Sequence, residues 1–445
     1  MCRFRHPVPA LHLPERFIQT AVKSWLPRAL TGHVVVSGDC MSDISAHSGL
    51  VLILGIALLM VAPSIGAVTD DGVGPVSISP DWRVETVDGT AGCGAYSSLL
   101  LDHDGRPHAA YTVSSSTGQS DLKYAWKSPA GWKTEYVDTS EDVLQEVSIA
   151  ENNLGQPVIA YSYLYPDGVA GHYGLKYAVK VGGRWVSRKV VTGSYIGGDV
   201  ALVIGKDGAM HLIYNGFEGK GLFHLVRQGG TWRRQAIDTS RGLGWPSAAI
   251  DGQGNIHVAY GHLSTDTRWD FRWAVKTESG WTSEVIARDN VGVFDGGIYI
   301  GLDVALAGAP SVSFTRPLAD GSIMVVYGVR DAYGKWKIVP VQTGYFAPYT
   351  AIALDVYDRP RITYLSLDRF TGDTLEVRYA LLESSTINSE TPAWDISVVA
   401  KRADHGDVGD TTAIQLLPSR IPWVTFIQNP TILSGNTHLM AATWA

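Results

Sequence analysis

The sequence predicts an all-β fold, a seven-bladed β-propeller of four-stranded antiparallel blades, and three observations support this prediction. A tryptophan recurs at intervals of about 50 residues, a period that is typical of propeller repeats. Each interval holds four short apolar segments separated by turn residues, and helical periodicity is absent after residue 68. Four short strands in a repeat of this length form one blade. The recurring tryptophans are Trp82, Trp132, Trp185, Trp232, Trp281, Trp336 and Trp394.

We name the four predicted strands of a repeat a, b, c and d, and the first complete unit shows them clearly. Its strands a to d cover residues 98–101, 107–111, 122–125 and 132–137. Strands b and d alternate in polarity, as half-buried strands do. The a–b connection runs from Asp102 to Gly105, which supply the side-chain hydrogen bond and the positive φ of a tight hairpin.

A small residue begins strand a in each unit, and this predicts that strand a lies nearest the propeller axis. Seven strands that converge on one axis leave little room, so the order from axis to rim is a, b, c, d. Residues 82–87 resemble a strand d with no other strand before it, whereas the last unit lacks strand d. We therefore expect the N-terminal strand to complete the last blade and close the ring, which removes open sheet edges. The small residues are Ser98, Ser148, Ala201, Ser247, Gly301, Ala351 and Ala413.

This repeat resembles that of secreted prokaryotic propeller proteins of the sialidase-like superfamily, which includes lectins, glycosidases and polysaccharide lyases. The resemblance covers residues 82–445 and implies the fold more specifically than an activity. The Asp-box of sialidases, Ser-x-Asp-x-Gly-x-x-Trp, is absent from the sequence, and the catalytic arginine triad of sialidases cannot be assigned.

Residues 1–67 are predicted to be an export region. The uncharged apolar run 50–62 is shorter than the roughly 20 residues that cross a bilayer, but it has the length of a signal-peptide core. Gly66 and Ala67 offer a cleavage site, and a translation start at Met41 would make 41–67 the signal peptide. A cytoplasmic tail with a short anchor is the alternative. Residues 68–81 are a linker, and we expect a secreted, extracellular or periplasmic monomer without a membrane span.

The composition of the chain indicates which classes of partner and cofactor to expect. The chain has 36 Lys and Arg against 43 Asp and Glu and contains no basic run, so we expect no nucleic-acid partner. Cys93 is the one cysteine after the predicted cleavage site, so no internal disulfide is expected. Metal-ligand spacing, a phosphate loop and a nucleophile elbow are all missing from the sequence, and we expect neither a metal nor a cofactor.

The repeat separates packing residues from candidate site residues, because a residue that recurs in most blades is explained by blade packing. The recurring residues that we assign to packing are the marker tryptophans, the strand-b histidines His108, His211 and His257, and the strand-b tyrosines Tyr111, Tyr161, Tyr214, Tyr260 and Tyr364. Residues that break the repeat are candidates for function.

The face that carries the d–a and b–c loops is the predicted functional face, because the b–c loops vary greatly in length. One ring of residues lies two positions before the small residue of strand a and borders the channel mouth. It is strongly aromatic, and aromatic faces suit hydroxyl-rich ligands such as sugars. Alternatively, these rings merely plug the top of the channel. The ring consists of Tyr96, Glu146, Asp199, Trp245, Tyr299, Tyr349 and Thr411.

A second ring lies two positions after the end of strand b. It contains Val113, Tyr163, Gly216, His262, Arg316, Ser366 and Gln428. Loop residues extend the predicted binding patch beyond both rings. The predicted ligand-binding residues are Tyr96, Tyr163, His172, Tyr173, Trp245, Arg268, Trp269, Tyr299, Tyr349 and Arg369.

Three functions remain open from the sequence. The first is a module that binds a glycan or another extracellular ligand without chemistry. The second is a carbohydrate-active enzyme, either a glycosidase with Glu146 and Asp199 as its carboxyl pair, or a polysaccharide lyase that uses His262, Arg316 and Tyr299. The third is a structural or protein-binding role at the cell surface. Convergence of unrepeated ionisable residues in one pocket would favour an enzyme.

Overall fold

The computed structural model describes residues 82–114, 118–164, 172–190, 196–216, 220–265, 268–289, 299–371, 374–382, 392–401, 411–428 and 437–444. The predicted export region 1–67 and the linker 68–81 lie outside these described residues. Within the described part of the chain the secondary structure is β-strand without helix, and it includes no helix of the length and apolarity that a membrane crossing requires.

The described residues form 28 strands, arranged as seven blades of four antiparallel strands. The N-terminal strand is β1 (Trp82–Asp88). Blade 1 contains β2 (Cys93–Leu101), β3 (Pro107–Ser114), β4 (Ser120–Ser128) and β5 (Gly131–Asp138). Blade 2 contains β6 (Val143–Glu151), β7 (Pro157–Leu164), β8 (Tyr173–Val181) and β9 (Arg184–Lys189). Blade 3 contains β10 (Ile196–Ile204), β11 (Met210–Gly216), β12 (Leu222–Gln228) and β13 (Thr231–Asp238).

The remaining four blades continue in the same order. Blade 4 contains β14 (Leu243–Ile250), β15 (Ile256–Thr265), β16 (Arg268–Thr277) and β17 (Gly280–Asp289). Blade 5 contains β18 (Ile300–Val304), β19 (Pro310–Pro317), β20 (Ile323–Arg330) and β21 (Trp336–Gly344). Blade 6 contains β22 (Phe346–Leu354), β23 (Pro360–Leu367), β24 (Thr374–Leu382) and β25 (Trp394–Lys401). Blade 7 contains β26 (Thr412–Leu416), β27 (Pro422–Gln428) and β28 (His438–Trp444).

The N-terminal strand closes the ring, as the sequence predicts. β1 pairs with β28, so the sheet order of blade 7 is β1-β28-β27-β26, and Trp82 lies opposite Trp444 in the register. Trp82 packs edge-on against Trp444 and against Tyr379 of blade 6. The first strand of the propeller therefore supplies the outer strand of its last blade.

The small residues at the start of each strand a allow close approach at the axis. Strands a line a central cavity of about 460 Å³, which confirms that they are innermost. A Cβ atom on Gly301 would lie 2.8 Å from Ser313 Oγ, so no larger residue fits there without displacement. Serine hydroxyls also join neighbouring blades, because Ser98 Oγ accepts a hydrogen bond from Ile149 N at 3.2 Å.

A buried ion pair with a tyrosine recurs between consecutive blades. Asp88, at the end of β1, accepts hydrogen bonds at Oδ2 from Tyr111 Oη at 2.6 Å and from Lys123 Nζ. This contact gives the tyrosine that ends strand b a packing role, because its hydroxyl donates a hydrogen bond to the carboxylate of the preceding blade. The arrangement recurs in Asp138 with Tyr161 and Lys176, and in Asp238 with Tyr260 and Arg272. Between blades 5 and 6 the neutral amide of Gln342 replaces the carboxylate and accepts hydrogen bonds from Tyr364 and Arg378.

The marker tryptophans and the strand-b histidines have packing roles, as predicted. Trp132 Nε1 donates a hydrogen bond at 3.0 Å to Glu85 of the preceding strand d. Trp185 and Trp336 donate in the same way to glutamates of their preceding blades. His108 Nε2 lies 3.1 Å from Asp102 Oδ2, which joins strand b to its own a–b turn. These residues hold blades together and are excluded from the candidate site.

Candidate functional site

Irregularities in strand a produce the ring at the channel mouth. In five blades the register between strands a and b shifts just before the small residue, which is the mark of a β-bulge. A bulge bends the strand and redirects a side chain, and bulges are common next to functional sites. The ring residues inside these irregular segments are Tyr96, Glu146, Asp199, Trp245 and Tyr349.

The structure brings most of the predicted first ring to the cavity. Residues Tyr96, Glu146, Trp245, Tyr299, Tyr349 and Thr411 line it, together with the inward faces of strands a. Asp199 is not part of this lining, and its carboxylate is held by hydrogen bonds. The offset from the small residue of strand a therefore selects six residues that line the cavity, and their role in binding remains a prediction.

Aromatic rings form a continuous surface along blades 4 to 6. The ring centroids of Tyr299 and Tyr349 are 3.8 Å apart, and Tyr349 Oη donates a hydrogen bond to Tyr299 Oη at 2.9 Å. The centroid of Trp245 lies 5.6 Å from that of Tyr299 and 5.7 Å from that of Trp269. We call these four residues the aromatic platform. Its rings are half-buried, except for Trp269, which is buried beneath Trp245.

The backbone at Trp245 is in an unusual conformation. Its φ is 53°, in the left-handed region that bulky residues rarely adopt. Such a conformation costs on the order of 1–3 kcal/mol, and it occurs preferentially at functional sites. The Trp245 N–H donates a hydrogen bond at 3.1 Å to Asp199 Oδ2. This contact joins the aromatic platform to the acidic side of the mouth.

Two carboxyl groups lie next to each other on that acidic side. Asp199 Oδ2 accepts a hydrogen bond from Asn215 Nδ2 at 2.7 Å, and Asp199 N donates to Asn215 Oδ1 at 3.1 Å. Sequence analysis missed Asn215. The available signal was a break in the repeat, since Thr112 and Ser162 occupy the equivalent position in blades 1 and 2. Asn215 therefore fixes the orientation of the Asp199 carboxylate.

The environment favours the protonated form of this pair. Burial raises the pKa of Glu146, and the negative charge of Asp199 raises it further. Burial also raises the pKa of Asp199, although the Trp245 N–H opposes that rise. Lys, Arg and His do not occur among the described residues that line the cavity. The mouth therefore holds a carboxyl pair without a protein counter-charge in its lining.

A further carboxyl group, Asp303, lies deeper in the cavity and was not predicted. Val203 and Ala249 occupy its position in blades 3 and 4, so the break in the repeat was again the available signal. Its two carboxyl oxygens accept hydrogen bonds from Val304 N at 2.8 Å and Leu354 N at 2.7 Å. Burial raises the pKa of Asp303 to about 6, although both N–H donors oppose the rise.

We expect Asp303→Asn to stabilise the protein near neutral pH and to lose this advantage in acid. A carboxyl group whose pKa is raised in the folded state destabilises folding as the pH rises from about 4, the unfolded value, to about 6. The neutral amide avoids this loss but gives up one hydrogen bond, so the gain should be roughly 1–2 kcal/mol. Urea unfolding at about pH 7.5 and at about pH 4 measures it. Equal effects at both pH values would contradict the assignment.

His262 and Arg316, the predicted lyase pair, are not part of the cavity lining. His262 is only 8% exposed, and its Nδ1 lies 3.6 Å from Asp270 Oδ2 in a polar cluster with Arg272. Burial lowers the pKa of His262, and the positive charge of Arg272 lowers it further. His262 and Arg316 are therefore not part of the lining to which Tyr299 belongs.

The other predicted binding residues divide into two groups. Tyr173 lies beside the residue before Asp199, since a Cβ atom on Gly198 would be 3.2 Å from the Tyr173 ring. Burial and then the charge of Asp199 raise the Tyr173 pKa. His172 is half-buried and directly precedes the strand that begins at Tyr173. Arg268 is half-buried at the b–c hairpin of blade 4, beside Trp269 of the platform. Tyr173 and Arg268 adjoin residues of the mouth, but none of the three lines the cavity, and their role in binding remains a prediction.

Tyr163 and Arg369 lie away from the mouth lining. Tyr163 is fully buried, with its ring beneath the ammonium groups of Lys176, at 4.9 Å, and Lys189, at 5.2 Å. It is therefore a packing residue in this structure, contrary to the prediction. Arg369 is exposed and covers the ring of Tyr345 at 5.3 Å. The site that remains is the aromatic platform with Tyr96, Glu146 and Asp199.

Comparisons with known proteins identify the fold. No protein-family model matches the chain, and no curated protein matches it. An ulvan lyase bound to an oligosaccharide has a TM-score of 0.50 and 12% identity, over 80% of this chain and 95% of its own. A Hadza microbial sialidase has a TM-score of 0.49 and 10% identity, over 81% of this chain and 68% of its own.

An α-L-arabinofuranosidase from Fusarium graminearum, in complex with arabinobiose, is also among the structures to which this chain is similar. Its TM-score is 0.44 and its identity 14%, over 68% of this chain and 98% of its own. At 12% identity, the likeness to the ulvan lyase shows the propeller fold and leaves the activity open.

Proposed function

We propose that this protein binds a carbohydrate at the mouth of its central cavity, on the face of the d–a and b–c loops. The observation that carries the proposal is the aromatic platform, in which Trp245, Tyr299 and Tyr349 present half-buried rings in one continuous series. Ring faces pack against the apolar faces of sugars. The neighbouring carboxyl and phenol groups offer hydrogen bonds to sugar hydroxyls.

The size of the central cavity is consistent with a carbohydrate ligand. The ulvan lyase neighbour carries its oligosaccharide on a similar fold, but its 12% identity limits the comparison to architecture. A cavity of about 460 Å³ matches the size range of small-ligand sites, which is about 300–1,000 Å³. A glycan array probed with the purified protein tests the proposal, and absence of any glycan signal would count against it.

We further propose that the chain is exported, with residues 41–67 as the signal peptide, and that it meets its ligand outside the cytoplasm. The support is the apolar run 50–62 and the small residues Gly66 and Ala67 after it. N-terminal mass spectrometry of the protein recovered from culture medium tests this, and retention of residues 41–67 in cells would contradict it.

A second candidate function, glycoside hydrolysis, is favoured by the carboxyl pair. A glycosidase needs one protonated carboxyl as acid and a second one nearby. Glu146 has the raised pKa of an acid, and Asp199 is oriented by Asn215 and by the Trp245 N–H. The engagement of Asp199 Oδ2 in these two bonds makes this the weaker proposal.

If the protein hydrolyses a glycan that it binds, we expect Glu146→Gln to lower turnover at least about a hundredfold, the usual contribution of a general acid. The measurement is release of reducing ends. Glu278→Gln is the matched control, because Glu278 is exposed on a c–d turn at the opposite face. Binding by the unmodified protein without any release of reducing ends would exclude hydrolysis of that glycan and leave the binding function.

A further inference from the structure

The channel mouth combines aromatic faces with carboxyl groups. Going around the ring, Tyr96 is followed by Glu146, Asp199 and Trp245 in consecutive blades, and Tyr299 and Tyr349 follow in the next two. Aromatic faces attract cations electrostatically, and cages of aromatic residues are a common means of binding ammonium groups. The mouth thus offers both kinds of group that stabilise a positive charge.

Four other buried carboxylates among the described residues are paired with cations. Asp88 and Lys123 form one such pair, and the corresponding pairs are Asp138 with Lys176 and Asp238 with Arg272. Asp355, on the a–b turn of blade 6, pairs with Arg361 of its own blade. Such pairing is expected, since a buried charge without a partner is unfavourable. Asp303 has no such cation among the described residues, but two backbone N–H groups donate hydrogen bonds to its carboxyl oxygens.

Glu146 departs from this pattern. Among the described residues it accepts no hydrogen bond and forms no ion pair, and its electrostatic neighbour is another carboxyl, Asp199. The other titratable groups at the mouth are the phenols of Tyr96, Tyr299 and Tyr349. Burial and then the charge of Glu146 raise the pKa of Tyr299. The described residues that line the mouth therefore provide no cation that could pair with Glu146.

We propose that the carbohydrate bound at the mouth carries a protonated amine, as glucosamine-containing oligosaccharides do, and that its ammonium group pairs with Glu146 over the aromatic platform. This inference rests on the proposed carbohydrate-binding function. A sugar acid would find no cation for its carboxylate, because the described lining contains no lysine, arginine or histidine. A neutral N-acetylated sugar would leave Glu146 without a counter-charge.

Binding of such a ligand should be coupled to proton release. Burial and the charge of Asp199 raise the pKa of Glu146, so the carboxyl holds a proton more readily than an exposed glutamate does. An ammonium group beside it favours the carboxylate form. The proton then passes from the Glu146 carboxyl to the buffer, while the ligand keeps its own proton.

The test is isothermal titration of the full-length protein with glucosamine, N-acetylglucosamine and uronate oligomers of equal length. We expect the glucosamine oligomer to bind about tenfold more tightly than the N-acetylated one, within the range of a partly desolvated cation–aromatic contact. Its binding heat should depend on the ionisation enthalpy of the buffer, as proton release requires. Glu146→Gln should remove both differences, whereas the control Glu278→Gln should keep them.

The possible results separate this inference from the function on which it rests. Equal affinities for the glucosamine and N-acetylglucosamine oligomers, or equal proton release with both, overturn the inference even if Glu146→Gln does not fold. Binding of only neutral or acidic oligomers, lost in Trp245→Ala, overturns it and leaves carbohydrate binding at the mouth intact. Absence of binding to every oligomer of the panel overturns both.

Discussion

The substitution Asp88→Ala is expected to lower the free energy of unfolding by about 3–5 kcal/mol, the usual cost of breaking a buried ion pair. Asp88 Oδ2 receives both the Tyr111 hydroxyl and the Lys123 ammonium, and Lys123 is only 4% exposed. Without Asp88, the Lys123 charge stays buried between blades 7 and 1 with no carboxylate beside it. Urea denaturation followed by tryptophan fluorescence measures the loss.

The pH dependence provides an internal check on this explanation. Burial alone would raise the Asp88 pKa, but hydrogen bonds from Lys123, Thr90 and Tyr111 outweigh it and hold the pKa well below its usual value. A lowered pKa contributes stability above the unfolded value of about 4, and this stability is lost as the pH falls further. The effect of Asp88→Ala should therefore shrink in acid.

A matched control is Asp104→Ala, since Asp104 lies on an exposed a–b turn and pairs with the exposed side chains of Arg106 and His103. Its substitution should change the free energy of unfolding by less than about 1 kcal/mol. If Asp88→Ala were as mild as Asp104→Ala, or equally harmful at every pH, closure of the ring would not depend on this ion pair.

The fold could be predicted from the sequence because the same four-strand pattern occurs in seven repeats. Each blade gives an independent sample of the same four strands, so irregular loops do not hide the pattern. Closure of the ring by β1 could be predicted because residues 82–87 resemble a strand d and the last repeat has no strand d of its own. The pairing of β1 with β28 then depends only on strand order, which the repeat provides.

The site was predicted only in part, because it depends on departures from the repeat. The ring position was found by counting from the small residue, and it placed Glu146 and Trp245 correctly. The bulges, the positive φ of Trp245 and the partner Asn215 arise from contacts between blades, which no single repeat contains. Tyr163 was predicted to bind the ligand, but the structure buries its ring beneath two lysines of its own blade.

The alternative interpretation is that the aromatic residues at the channel mouth only plug the top of the channel. The hydrogen bond between Tyr299 and Tyr349 draws two rings together above the cavity, as a plug would require. A plug, however, gives no reason for a carboxyl pair without a counter-charge beside the rings. Nor does it explain why Trp245 keeps an unfavourable backbone conformation.

The substitution Trp245→Ala separates the two interpretations. We expect it to weaken carbohydrate binding about a hundredfold, which corresponds to a binding hot spot of about 2–3 kcal/mol. Trp245 lies in the middle of the aromatic platform, between Trp269 and Tyr299, so its removal divides the surface. The backbone N–H that donates to Asp199 remains, so the carboxyl pair should keep its geometry.

The matched control is Tyr333→Ala, because Tyr333 is 90% exposed on the c–d turn of blade 5, at the opposite face. Titration of both variants with one glycan from the array, with circular dichroism to verify folding, makes the comparison. A hundredfold loss confined to Trp245→Ala assigns the ligand to the mouth. Unchanged affinity in Trp245→Ala would mean that the rings fill the channel and that any carbohydrate binds elsewhere on the propeller.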